Sequence, residues 1–153
     1  MGFEERARDA GVDLDMALIR PGNFDLVAQV GDIAYVAGCI ALADGSVAFR
    51  GRLGAGTDVE TGQQSARGAA AALLAALHQA AGGLDRVRRV VRLTGYVTSA
   101  PGFGSQPTVI NGASDLMIEV FGDAGRHARS AIGVAELPLG ASVEVEGIFQ
   151  VNQ

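Results

Sequence analysis

The sequence predicts an α+β fold in which two helices pack on one face of a mixed β-sheet. The prediction depends on a long alanine-rich amphipathic segment, a second amphipathic segment after Pro107, and alternating apolar runs around both. In chain order these segments give βββ-α-β-α-ββ. The chain has 153 residues, a usual length for one domain. We therefore predict a single domain over residues 1–153, in which residues 1–19 form an N-terminal extension with a short helix.

Three strands are predicted before the first long helix. Apolar-rich runs at Phe24–Val30 and Ile33–Ala37 flank Gly31-Asp32, which predicts a β-hairpin. A short third strand is expected at Val47–Phe49. The glycine-rich residues Gly51–Gly56 are expected to form a loop before the helix begins.

The clearest helix is predicted over Thr57–Ala81. Thr57 and Glu60 have the spacing of a capping box, and Gly82-Gly83 provides a stop. Small and apolar residues recur at helical spacing on one stripe, namely Ala66, Ala70, Leu73, Leu77 and Ala81. So many alanines favour close approach to a flat partner, which a sheet provides.

A long strand and a second helix follow. Val87–Thr98 alternates as a strand does, with Val91, Leu93 and Val97 on one face. Pro107 stands where a helix can begin, and Gly122 is expected to end it. The apolar stripe of this helix consists of Val109, Ala113, Leu116, Met117 and Val120.

The last two strands, Arg129–Glu136 and Ser142–Val151, are predicted to pair as an antiparallel hairpin through residues 137–140. One face of the final strand is apolar and suits the helices: Val143, Val145, Gly147, Phe149 and Val151. The opposite face carries Glu144, Glu146 and Ile148, a mixture that suits a partner subunit with a wet cleft better than plain solvent.

Composition excludes several function classes. Twelve basic residues against 17 acidic ones give a formal net charge of −5, which argues against binding of nucleic acid. All basic residues are arginine, which excludes a lysine Schiff base and the lysine of a P-loop. Cys39 is the only cysteine, so an intrachain disulfide and a cysteine-rich zinc site are excluded.

The sequence predicts no contact with a membrane and a cytoplasmic location. Residues 1–15 mix acids and bases and lack the apolar stretch of a signal peptide. The longest uncharged stretch, Gly68–Leu84, is mostly alanine, contains His78, and is short for a membrane-spanning helix.

The C-terminal part carries a specific pattern: residues 129–138 read RSAIGVAELP and residues 143–148 read VEVEGI. It resembles the signature R-x-x-V-x-V-x-x-L-P-x-x-x-x-V-E-I-E-x-I of the RidA family, also called the YjgF/YER057c/UK114 family. Tyr35–Ile40, the alanine-rich helix and Val109-Ile110-Asn111 match further family segments in the right order. The resemblance extends from about Arg20 to the C-terminus.

The resemblance implies a chorismate-mutase-like fold, assembled as a homotrimer with a cleft between each pair of subunits. It also implies hydrolysis of reactive 2-imino and 2-enamino acids to 2-keto acids and ammonia without metal or cofactor. The expected partners are two further copies of the chain and a small ligand that carries a carboxylate.

Arg129 is expected to bind the substrate carboxylate, because its guanidinium is planar and permanently charged. Glu144 is expected to hold or deprotonate the attacking water. The resemblance implies that the backbone around Ala131 contacts the substrate nitrogen. The other predicted substrate-binding residues are Asn111, Phe24, Gly38 and Cys39. His78 and His127 have no acids at ligand spacing, so no metal site is predicted.

Departures from the family pattern keep alternatives open. Phe24 stands in place of a family Tyr, Ala37 and Cys39 in place of Ser and Gln, and Ala131 in place of Cys. The same cleft could therefore bind a small carboxylate as a sensor without turnover. A ribonuclease or translation-inhibitor role, a label that family members often carry, is opposed by the net charge of −5. Arg129 could also form a structural ion pair with an acid at the trimer interface, and Glu144 could be that acid.

Overall fold

The computed structural model describes residues 1–153. The helices are α1 (Phe3–Asp9), α2 (Val59–Ala81) and α3 (Gln106–Phe121). The strands are β1 (Val27–Val30), β2 (Ile33–Cys39), β3 (Leu42–Ala43), β4 (Ser46–Val47), β5 (Arg52–Leu53), β6 (Gly56–Thr57), β7 (Val87–Thr98), β8 (Ala128–Val134) and β9 (Val143–Val151).

The main sheet has the strand order β1-β2-β9-β7-β8. All neighbouring strands are antiparallel except β7 and β8, which run parallel. The predicted β1–β2 hairpin is confirmed, with a turn at Gly31-Asp32 in which Gly31 has the left-handed φ of 61°. The sheet is therefore mixed, as the sequence predicts.

The predicted hairpin between the last two strands is wrong. β8 pairs in parallel with β7, and β9 lies between β2 and β7. The physical reason is the crossover β7-α3-β8, because a helical connection returns the chain beside its starting strand in the same direction. Residues 135–142 then carry the chain back across β7 to the centre of the sheet.

Both long helices cover the same face of the sheet. A Cβ atom on Gly147 of β9 would lie 3.3 Å from Leu73 of α2, and one on Gly95 of β7 would lie 2.4 Å from Ile110 of α3. These glycines therefore permit the close approach that the alanine-rich stripe predicts. None of the helices combines the length and hydrophobicity that a membrane crossing requires.

The two helices also contact each other closely at Gly112. A Cβ atom there would lie 2.1 Å from the backbone oxygen of Gln63, so only glycine fits between the α2 and α3 backbones. The buried core beneath includes Leu73, Leu77, Leu93, Leu116, Met117 and Phe149.

The predicted capping box is wrong by one residue. The N-cap of α2 is Asp58, whose carboxylate accepts a hydrogen bond from the Thr61 backbone N–H at 2.8 Å, whereas Thr57 lies in β6. Aspartate serves the same purpose, because its oxygen satisfies an otherwise unpaired donor of the first turn. The predicted stop is confirmed, since Gly82 has the left-handed φ of 77°.

The segments around these elements differ in detail from the prediction. The expected strand Val47–Phe49 is only the two-residue β4, which pairs with β3, and the expected loop Gly51–Gly56 contains the short parallel pair β5–β6. At the N-terminus, Ala7, Val12 and Leu14 are buried in the main core. Residues 1–19 thus pack against the domain.

Candidate functional site

The predicted site residues form two clusters on opposite faces of the sheet. Arg129 of β8 is paired with Leu93, which faces the helices, so its side chain projects towards α3. Glu144 of β9 is paired with Tyr96, which faces away from the helices. One chain by itself therefore does not bring the predicted carboxylate anchor and the predicted base together.

The first group, here called the arginine cluster, consists of Arg129, Asn111, Ser114, His127 and the Pro107 carbonyl. Nη1 of Arg129 donates to Asn111 Oδ1 at 2.9 Å and to Ser114 Oγ at 3.1 Å, and Nη2 donates to the Pro107 oxygen at 3.0 Å. All three acceptors are neutral and belong to α3. They use three of the five guanidinium N–H donors and leave two for a ligand.

Arg129 forms no ion pair with any acidic side chain of the chain. Within one subunit, therefore, no acid neutralises the guanidinium of Arg129. A half-buried guanidinium that is oriented by neutral acceptors keeps its charge available for an anion.

The hydrogen bonds of His127 have only one consistent direction. The Gly125 carbonyl can only accept, so Nδ1 of His127 carries the proton that it shares with this oxygen at 2.6 Å. Nε2 is then an acceptor, and Ser114 Oγ donates to it at 3.0 Å. Burial is the largest cause that lowers the pKa of His127, and the nearby Arg129 charge also lowers it. Neutral His127 thus orients the hydroxyl of Ser114, whose oxygen accepts a hydrogen bond from Arg129.

The second group, here called the glutamate pocket, is a cavity of about 300 Å³ lined in part by Phe24, Gly38, Cys39 and Glu144. β2 and β9 shift register between Val36 and Cys39, and Gly38 lies in this irregularity. A Cβ atom at Gly38 would lie 2.8 Å from the Glu144 carboxyl carbon. Glycine at this position therefore leaves the space that the carboxylate occupies.

Burial raises the pKa of Glu144, and the neighbouring Glu146 raises it further. Tyr96 donates to Glu146 Oε1 at 2.8 Å. Burial and this hydrogen bond raise the pKa of Tyr96 to about 12. Burial and then Glu144 raise the pKa of Cys39 to about 12. At neutral pH the thiol of Cys39 and the phenol of Tyr96 are therefore protonated.

Ala131 lies next to the arginine cluster on β8. Its side chain packs against the core. β8 is an edge strand because it pairs only with β7, so its outer edge presents backbone N–H and C=O groups to a ligand or a second chain. This placement is compatible with the predicted backbone contact to a substrate.

The family model described as "YjgF/chorismate mutase-like, putative endoribonuclease" matches residues 4–149. The chain belongs to the YjgF/RidA family. Protein TCP17 of Trypanosoma cruzi is a relative with 42% identity over 143 residues, which cover 93% of this chain and 89% of the relative. The predicted family membership and the chorismate-mutase-like α+β fold are thereby confirmed.

Two solved structures are similar to this chain over nearly its whole length. Atu1372 from Agrobacterium tumefaciens, described as of unknown function, has 38% identity and a TM-score of 0.89, with coverage of 99% of this chain and 94% of its own. A "putative endoribonuclease" from Shewanella oneidensis MR-1 has 30% identity and a TM-score of 0.94, with coverage of 99% and 100%.

The structure adds four residues to the site residues predicted from the sequence of this YjgF/RidA protein: Ser114, His127, Tyr96 and Glu146. Ser114 follows Asn111 by one helical turn, a spacing that places both side chains on one face of α3 and could have indicated it. Tyr96 contributes a hydroxyl on the same sheet face as Glu144. The substitution of Phe24 for the family tyrosine gives no indication of this hydroxyl. No spacing rule connects His127 to Ser114, because their contact depends on the packing of residues 122–127 against α3.

Proposed function

We propose that this protein hydrolyses reactive 2-imino and 2-enamino acids to 2-keto acids and ammonia, in a cleft between two subunits of a homotrimer. The observation that carries the proposal is the guanidinium of Arg129, which three neutral acceptors orient and no acid of the same chain neutralises. A 2-imino acid offers the carboxylate that such a group binds through two parallel hydrogen bonds.

The proposal requires a second copy of the chain, because Arg129 and Glu144 lie on opposite faces of one sheet. The face without helices supports such an assembly. Tyr35 and Ile132 are 48% and 46% exposed there, beside the half-buried Glu144 and Glu146. An uncovered sheet face with apolar side chains favours contact with another subunit. In the proposed trimer, Arg129 of one copy meets the glutamate pocket of the next.

The chemistry needs a positioned water and a base. Glu144 accepts one proton of the water while the water oxygen bonds to the imine carbon. The π electrons of the C=N bond move to nitrogen. The proton on Glu144 then passes to nitrogen, which gives a carbinolamine. Glu144 next accepts the hydroxyl proton of this intermediate and transfers it to nitrogen, so that the C–N bond breaks and ammonia leaves as the C=O bond of the keto acid forms. Arg129 holds the carboxylate throughout and thereby orients the reacting carbon.

The test is release of ammonia and keto acid from freshly generated 2-imino acids. Wild type is expected to accelerate hydrolysis, and Arg129→Ala is expected to lose this acceleration. Arg88→Ala is the control, because Arg88 is an exposed β7 residue outside both clusters. Acceleration that persists in Arg129→Ala would contradict the assigned anchor, and no acceleration by wild type would contradict the deaminase.

Glu144→Gln separates the base from the binding site. Removal of a general base typically slows a reaction by about 10²–10⁴-fold, so we expect turnover to fall by that range. Affinity for the 2-keto acid product, measured by calorimetry, is expected to stay close to that of wild type. Turnover that survives in Glu144→Gln would exclude Glu144 as the base.

A second candidate is a sensor that binds a small carboxylate without turnover. The observation that favours it is Phe24, which supplies no hydroxyl to a pocket whose lining is mainly apolar. In that case wild type gives no acceleration, yet calorimetry detects a 2-keto acid bound to wild type and not to Arg129→Ala.

A further inference from the structure

We propose that the glutamate pocket selects substrates with an apolar side chain of at least about the size of leucine or methionine, and disfavours short or polar ones. This inference rests on the proposed function, because it names the substrate class of the same site. It is argued from the walls, charge and volume of the pocket.

The walls of the pocket come from several separate segments and are apolar. Its larger lining side chains include Leu18, Phe24, Leu26, Ile40, Leu42 and Leu139. These segments lie far apart in the chain, so the apolar lining is a product of the fold and not of one hydrophobic run. An apolar group that enters this space loses contact with water and gains close packing.

Charge determines which end of the substrate enters. Glu144 is the only charged residue that lines the pocket, and no arginine or histidine lines it. A substrate carboxylate inside would stand beside the Glu144 carboxylate without a cation, which is unfavourable for like charges out of water. The carboxylate must therefore stay at the mouth, where the neighbouring subunit's copy of Arg129 is placed by the proposed function. The interior is left for the side chain.

The volume of the pocket favours a large side chain over a small one. The cavity measures about 300 Å³, and a cavity of roughly 150 Å³ already holds benzene. The pocket thus has room for a side chain of four or five heavy atoms together with the imine carbon and nitrogen next to Glu144. A methyl group would leave much of this apolar surface without a partner.

The experiment compares 2-imino acids generated in place from leucine, methionine, alanine and serine by an amino-acid oxidase. Differences of one methylene in an apolar pocket give roughly 10-fold or larger discrimination. We expect kcat/KM for the leucine and methionine derivatives to exceed those for alanine and serine by at least about tenfold. Leu42→Ser is expected to reduce this ratio. Leu137→Ser is the matched control, because Leu137 is a half-buried leucine outside the pocket.

A second readout is independent of turnover: calorimetric affinity for 4-methyl-2-oxopentanoate relative to pyruvate. Turnover with equal kcat/KM for all four substrates would overturn the inference and leave the deaminase standing. Absence of turnover with tighter binding of 4-methyl-2-oxopentanoate than of pyruvate would overturn the deaminase and support the apolar selectivity. Absence of turnover with equal or undetectable binding of both acids would overturn both.

Discussion

The two carboxylates on the exposed face of β9 interact electrostatically. Burial and the charge of Glu146 both raise the pKa of Glu144. A base must be ionised to accept a proton, so kcat/KM is expected to fall as the pH drops through this raised pKa. Glu146→Gln removes one of the two causes and lowers the pKa of Glu144.

The acid limb of the kcat/KM profile is therefore expected to move to lower pH in Glu146→Gln. Glu136→Gln is the control, because Glu136 is an exposed acid paired with Arg52 away from the pocket. An acid limb that stays in place in Glu146→Gln would show that another group controls the profile.

Cys39 is expected to resist alkylation and disulfide exchange in the folded protein. The thiolate is the reactive form, and burial followed by the Glu144 charge raises the pKa of Cys39 to about 12. The side chain is also only 8% exposed. Titration with Ellman's reagent at pH 8 should detect the thiol rapidly after unfolding in guanidinium and slowly in the native protein. Rapid native reaction would show that the pocket opens.

At the scale of elements, the contact between α2 and α3 depends on Gly112. Gly112→Ala places a methyl group against the Gln63 carbonyl and forces the helices apart. Overpacking of this kind costs about 1–3 kcal/mol, which exceeds the gain from a better helix former. Urea denaturation measures the loss. Gly104→Ala is the control, because a Cβ atom there meets nothing within 4 Å.

The pairing of the last two strands shows what sequence reasoning can miss. Alternation located β8 and β9 well, and burial on alternate residues of β9 agrees with the predicted faces. The turn residues Leu137-Pro138-Leu139-Gly140 suggested a hairpin, yet alternation says nothing about which strand lies beside which. The order β7-α3-β8 contained the information, since a strand-helix-strand unit favours parallel neighbours.

The sequence likewise predicts single residues of the site but not which of them lie together. Sequence motifs identified Arg129, Asn111 and Glu144, and the structure places the first two in direct contact. The Ser114–His127 hydrogen bond joins residues of α3 and of the segment before β8, so it depends on tertiary packing. The separation of Arg129 from Glu144 by the sheet is likewise a property of the three-dimensional register.

At the scale of the whole molecule, the proposed trimer predicts a solution mass three times the chain mass of 15.6 kDa. Light scattering after size exclusion measures it. Ile132→Glu places a charge on the uncovered sheet face and is expected to reduce the mass towards one chain. Ala80→Glu adds the same charge at an exposed position of α2 and should leave the mass unchanged. A monomeric wild type would contradict the intersubunit cleft.

The central position of β9 has a consequence for biosynthesis. β9 follows every other strand in the chain, yet it joins the β1–β2 hairpin to the β7–β8 pair. Until the ribosome has delivered it, β2 and β7 each present an unpaired edge, and such edges favour association with other chains. Long-range pairing also slows folding. The five-stranded sheet can therefore be completed only after the last residues of the chain have left the ribosome.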